Sequence, residues 1–243
     1  MLLNCFFLTE SHNPDLPEEE WTLVYENTTP GAYSQNFGWG KYKIEISGGG
    51  GSGAASIRDT NGMEYEYTQN GYSGEKKTVV AAIYTGENKT FSGTIGGGGK
   101  GATVRVLKQS DRYKGEAFYG NAGQGYQNGS TPNTKYEYNH ESTFMLGGGA
   151  WVGGSGGGST SLEIDSVLNT VAAGGNGGTV NVNYSGYKIS NGGVGGSGGT
   201  TSGLGANGGS SVDKKNVSGT YTSGNGSDGY VRIYKSNLKP EPV

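Results

Sequence analysis

Cysteine occurs once in the 243 residues, as Cys5, so no internal disulfide framework is available. Histidine occurs twice, as His12 and His140. No Cys/His zinc spacing and no EF-hand loop is present. His140 is followed by Glu141 and Ser142, but sequence neighbours do not make a triad, which is assembled across a fold from separate segments. The chain therefore gives no support to catalysis, a metal or a cofactor. It has no run of 18 apolar residues and hence no membrane-spanning helix. The apolar start, Met1 to Leu8, lacks a basic flank and a small-residue cleavage site and is too short for a secretory signal. Neither sign of charge dominates: 18 basic residues face 21 acidic ones, with a net charge of −3, which excludes the basic footprint of a nucleic-acid binder. Hydrophobic residues make up only 31%, so the apolar core is small. The low net charge and 17 tyrosines nevertheless separate the chain from disordered linkers.

What the sequence has instead is glycine, at 50 positions. Gly192 to Thr200 is three Gly-Gly-X triplets, and a similar spacing marks Gly147 to Gly158 and Gly174 to Thr179, with shorter stretches at Gly48 to Gly53 and Gly96 to Gly101. A period of three is neither helical nor the alternation of a strand. It is the period of an extended polyproline-II-type chain, which makes no hydrogen bonds within itself and must bond sideways. With glycine this frequent, GxGxxG matches arise by chance and carry no dinucleotide signal. Gly96 to Gly101 falls short of a phosphate loop because Gly101, not Ser or Thr, follows Lys100. The X residues Asn176, Thr179, Val194, Ser197 and Thr200 are too mixed for a regular ice-binding face.

Short strands border the glycine runs. Lys41 to Ile46 alternates strictly, with Tyr42, Ile44 and Ile46 on one face. Trp21–Tyr25, Thr90–Ile95, Ala102–Leu107, Phe144–Leu146, Ser161–Asp165, Val180–Tyr184 and Tyr230–Tyr234 also read as strands. Val79–Tyr84 is apolar on both faces and reads as a central strand, and Val167–Ala173 is the one short helix candidate. Many short strands with turn-like separators predict an all-β sandwich or barrel. Two polar stretches, 59–75 and 109–142, set tyrosines among Gly, Asn, Gln and Ser. This mixture resembles binding loops, where tyrosine offers rigid amphipathic contact area and the small residues adapt; the alternative is long surface loops whose tyrosines pack on the sandwich flank. The candidate ligand-binding residues are Tyr113, Tyr119, Tyr126, Tyr136, Tyr138 and Trp151.

The run Tyr42 to Gly51, in which a strand enters polyglycine, and the closing Gly229-Tyr230-Val231-Arg232-Ile233 carry a resemblance. Over roughly residues 21–235 the layout resembles the glycine-rich domains of bacteriophage tail and tail-fibre proteins. It is similar to the extracellular glycine-rich region of the anaplastic lymphoma kinase and leukocyte tyrosine kinase receptors, without their cysteines or kinase domain. The resemblance implies a jelly-roll or TNF-like antiparallel sandwich with an inserted glycine-rich polyglycine-II helix bundle. It also implies a non-enzymatic, adhesin-like receptor-binding module, located in a virion tail or at a cell surface. Its partners would be a cell-surface glycan or protein receptor, and other tail proteins through an N-terminal attachment segment. The alternative is a secreted or cell-surface glycine-rich protein of a bacterium or eukaryote that mediates protein–protein contact. The expected organisation is a leader over 1–20, the glycine-rich β domain over 21–235 and a tail over 236–243.

Overall fold

A computed structural model describes residues 18–58, 64–109, 112–140, 149–183, 188–215 and 217–240. Among them are eighteen strands, one three-residue 3₁₀ turn at Gly196–Gly198 and no α-helix. The protein is all-β.

Two four-stranded antiparallel sheets form a sandwich. One has the order Trp21–Asn27, Tyr230–Ser236, Gly40–Ser47, Lys76–Ile83, and the other Val167–Ala172, Thr160–Ile164, Lys89–Ile95, Gly31–Phe37. The alternation seen in the sequence decides which face is buried. Ile44 lies between Ile233 and Val79 in adjacent strands, and Ile46 is paired with Val231. These side chains meet Phe91, Ile95, Leu162 and Tyr33 from the opposing sheet, and Phe37, Tyr42 and Phe91 pack ring against ring at 5.1–5.8 Å. Two expectations are corrected. Residues 76–83 form an edge strand, and Val80 is exposed because it shares the outward face with its partner Lys43. The helix candidate is the strand Val167–Ala172, which returns antiparallel to Thr160–Ile164 through Asp165 and Ser166 at φ 52° and 64°. That tight turn makes the apolar run one arm of a hairpin. Phe144–Leu146 lies outside the described residues, as do Cys5 and His12.

At the other end lies a second β layer. A seven-stranded sheet has the order Val212–Lys215, Ala55–Arg58, Gly149–Val152, Lys135–His140, Arg112–Phe118, Thr103–Gln109, Gly219–Thr222. It is antiparallel except where Val212–Lys215 runs parallel to Ala55–Arg58. It curls so that Ile57, Val104, Val106, Ala117, Ala150 and Val152 share one core. A small sheet of Lys188–Ser190, Val180–Asn183 and Glu64–Thr68 covers Trp151 with Val180 and Val182.

Between the two β layers runs glycine. Segments 48–54, 96–102 and 173–179 lead from sandwich to distal layer, and 69–75, 153–159 and 223–229 lead back. Segments 119–134 and 191–211 leave the distal layer, turn on the sandwich side and return to it. Among the described residues no helix bundle occurs. These segments are instead extended chains bonded laterally, and segment 48–54 shows how. Its N–H groups donate in rotation to three neighbours: Gly48, Gly51 and Ala54 to the carbonyls of Glu75, Tyr72 and Gln69; Gly49 and Ser52 to Gly158 and Ser155; Gly50 and Gly53 to Ser227 and Gly224, all at 2.8–3.1 Å. Its carbonyls accept in rotation too, from Gly175 and Gly178, from Gly99, and from Gly209 and Val212. Six segments thus surround one, five of them reached every third residue and segment 96–102 once, through Gly99. A buried polar group left unpaired costs about 1–3 kcal/mol, so this rotation is what lets so polar a backbone be buried.

Chains this close leave no room for side chains. A Cβ on Gly50 would fall on the carbonyl of Asn207, and one on Gly51 on that of Asn176. Most glycines of the layer have ordinary negative φ, so it is the missing Cβ that matters and not conformational freedom. Serine fits at a few positions because its hydroxyl replaces a missing backbone partner. Ser47 Oγ accepts from Ala206 N–H at 2.7 Å and donates to Gly48 O, Ser52 Oγ accepts from Ser155 N–H at 2.7 Å, and Ser223 Oγ links Ala102 N–H to Gly53 O.

Candidate binding surface

The sequence-derived tyrosines do not converge. The polar stretch 109–142 is only partly loop, since Arg112–Phe118 and Lys135–His140 are strands of the distal sheet. Tyr113 sits opposite Lys108 and His140, and Tyr138 opposite Gly149. Tyr136 stacks on Trp151 at 5.6 Å between ring centroids, with the Lys188 ammonium 5.4 Å from its own ring. Trp151 is 1% exposed and belongs to the core between the distal sheets, so it presents no surface to a ligand. The small sheet covers it through Val180 and Val182. Tyr119 and Tyr126 are exposed but stand at opposite ends of the outward pass of segment 119–134, roughly 20 Å apart for an extended chain rising about 3.1 Å per residue.

Tyr119 has a neighbour that sequence reading missed. Phe118, the last residue of its strand, is 46% exposed. It lies directly across from Thr103, and Thr103 from Thr222, whose hydroxyls meet at 2.8 Å. One pair further along the same face, Arg105 donates from Nε and Nη2 to Glu116 Oε2 and brings its guanidinium carbon to 5.7 Å from the Phe118 ring. Lys114 joins the same carboxylate at 2.8 Å. On the other side the ladder between Arg112–Phe118 and Lys135–His140 is confined to Lys114/Asn139 and Tyr113/His140. Beyond it the side chains of Lys135 and Glu137 serve the unpaired backbone of Ala117. Glu137 Oε1 accepts from Ala117 N–H at 3.0 Å, and Lys135 Nζ donates to Ala117 O at 2.9 Å and to Glu137 at 2.7 Å. The same ammonium is 5.8 Å from the Phe118 ring. The result is an exposed aromatic framed by two hydroxyls and two cation–carboxylate pairs. Glu137 is held below the usual carboxylate range by the Ala117 N–H and then by Lys135, and Glu116 by Lys114 and then Arg105.

A shallow cavity of about 330 Å³ lies between the sandwich edge and the turn of segment 191–211, lined by Glu75, Lys76, Thr78, Thr200, Ser202, Gly203 and Leu204. Its charges already serve the fold: Lys76 pairs with Glu45, and Glu75 accepts from Ala173 N–H. Among the described residues no group of His, Cys, Asp and Glu could hold a metal ion, and no helix is long and apolar enough to cross a membrane. The chain matches no protein-family model and no curated protein.

Proposed function

We propose that the chain is a non-enzymatic receptor-binding module of the tail-fibre adhesin type, carried by its sandwich end and recognising a cell surface with its distal β layer. The observation that carries this reading is the path of the chain. Its first and last described strands, Trp21–Asn27 and Tyr230–Ser236, pair in the sandwich, and the distal layer is reached only through the glycine segments. Asn237 joins the two strands there, accepting from Glu20 N–H and donating to Glu18 O. Lateral bonding in steps of three supports reading the glycine segments as polyglycine-II-type chains, and the two four-stranded sheets support a jelly-roll or TNF-like sandwich. Such a layer is a stiff spacer: it holds the distal sheets at a fixed distance and orientation from the attachment end. Tyr119, with Phe118 beside it, is the recognition residue kept from the sequence reading.

The test is saturable binding of the labelled protein to a panel of bacterial strains. The account expects binding to a subset of strains, competed by unlabelled protein and lost when Phe118 and Tyr119 are both changed to alanine. Absence of binding to every strain, or binding lost only on changing sandwich residues such as Trp39, contradicts it.

A further inference from the structure

We propose that the flank around Phe118 is a platform for a neutral saccharide, a reading that rests on the adhesin function above and names its ligand class. An aromatic ring carries negative charge on its face, which attracts the weakly positive C–H face of a pyranose, and small-molecule sites combine aromatic surface with a few placed polar groups that fix orientation. Phe118 supplies such a ring, 46% exposed, flanked by the Arg105 and Lys135 cations at 5.7 and 5.8 Å and carried on a strand fixed by its full ladder with Thr103–Gln109. The rim supplies hydroxyl-matching groups on both sides. The Thr103 and Thr222 hydroxyls share one hydrogen bond between them, which leaves a donor and further acceptor sites. Arg105 is engaged by Glu116 through one edge of its guanidinium and its side chain is 40% exposed, so donors remain on the outer edge. Lys135 and Glu137, each 38% exposed, place a donor and an acceptor side by side, the arrangement that suits two vicinal hydroxyls.

The charge pattern selects a neutral ligand over an acidic one. Arg105 and Lys114 converge on Glu116, and Lys135 on Glu137. A carboxylate or phosphate on the ligand would have to compete with a built-in carboxylate for each cation and would stand close to it. A hydroxyl would instead add to both members of each pair. The platform is also preorganised: Glu137 and Lys135 are held by the Ala117 backbone, so little side-chain freedom is lost on binding.

The experiment is an array of neutral oligosaccharides of glucose, galactose and mannose beside sialylated and uronate-containing ones, probed with the full chain. Titration of hits against Phe118→Ala and Arg105→Gln follows, with melting curves for each variant. The expected result is binding to one or more neutral glycans, weakened about tenfold or more by Phe118→Ala, with a cooperative melting transition retained because about half of the residue is exposed. Phe118→Trp, which keeps the aromatic face, is expected to retain binding. No neutral glycan bound, binding confined to the acidic glycans, or binding indifferent to Phe118→Ala overturns the proposal. Strain binding by the intact chain separates the two failures. If strains are bound and neutral glycans are not, the platform is wrong and the adhesin reading stands. If no strain is bound, the adhesin reading falls.

Discussion

At the scale of single residues, the same amino acid does two different jobs in this chain, and the distinction can be measured. Gly51 sits in the middle of the glycine layer, where a Cβ would collide with the Asn176 backbone. Gly97 belongs to the same layer, yet a Cβ there would have its nearest neighbours, Gln124 O and a Pro30 carbon, at 3.6 Å. Gly51→Ala is therefore expected to destabilise by about 3 kcal/mol or more, since the obstacle is backbone that cannot swing away. Gly97→Ala is expected to change stability by no more than about 1 kcal/mol, the loss of unfolded-chain freedom offsetting any small adjustment. Paired urea or thermal melts of the two variants check this; equal effects would mean that the segments are not packed as described. Sequence alone could not rank the two, because a glycine run carries no side-chain pattern that says which member faces a neighbour.

At the scale of elements, strands were legible wherever one face alternates. Tyr42, Ile44 and Ile46 mark their strand and its buried face, as do Val231 and Ile233, because burial of every second residue leaves a period in the sequence. Where no such asymmetry exists the reading failed. Val167–Ala173 has apolar residues at both helical and strand spacing, and only the turn at Asp165 and Ser166 decides for a strand. The short distal strands Ala55–Arg58 and Gly149–Val152 are buried on both faces and lie against glycine, so they show no period. Of the candidate surface the sequence offered only Tyr119, one of six aromatics named alike, while Phe118 gained its setting only once Thr103, Arg105 and Lys135 came beside it from other strands. The strand ends also set the pH response. Glu137 caps the Ala117 N–H, and Asp165 caps the Thr90 N–H and then pairs with Lys89; both carboxyls are held below their usual range. Glu116 is held low by Lys114 and Arg105. A lowered carboxyl stabilises fully above its unfolded pKa, about 4, and loses that contribution as pH falls through its folded value. Melting temperature is thus expected to stay level between about pH 7 and 5 and to fall below about pH 4, with a shallower fall in Glu137→Gln. A rise on acidification would contradict these assignments.

At the scale of the whole molecule, two small β cores at one end and one larger core at the other are joined by a layer with almost no side chains. No disulfide can brace it, since the chain has a single cysteine. Its order rests on the rotation of backbone hydrogen bonds to successive neighbours, so the spacing of distal layer from attachment end, and with it the proposed function, depends on those bonds. Amide hydrogen exchange across Gly48 to Ala54 tests this most directly. The account predicts that these amides, each bonded to a different surrounding segment in turn, are protected as strongly as those of the sandwich strand Gly40–Ser47 and exchange only with global unfolding. Exchange at the rate of an unstructured chain, with the sandwich amides still protected, would show that the glycine segments are linkers and would contradict the account.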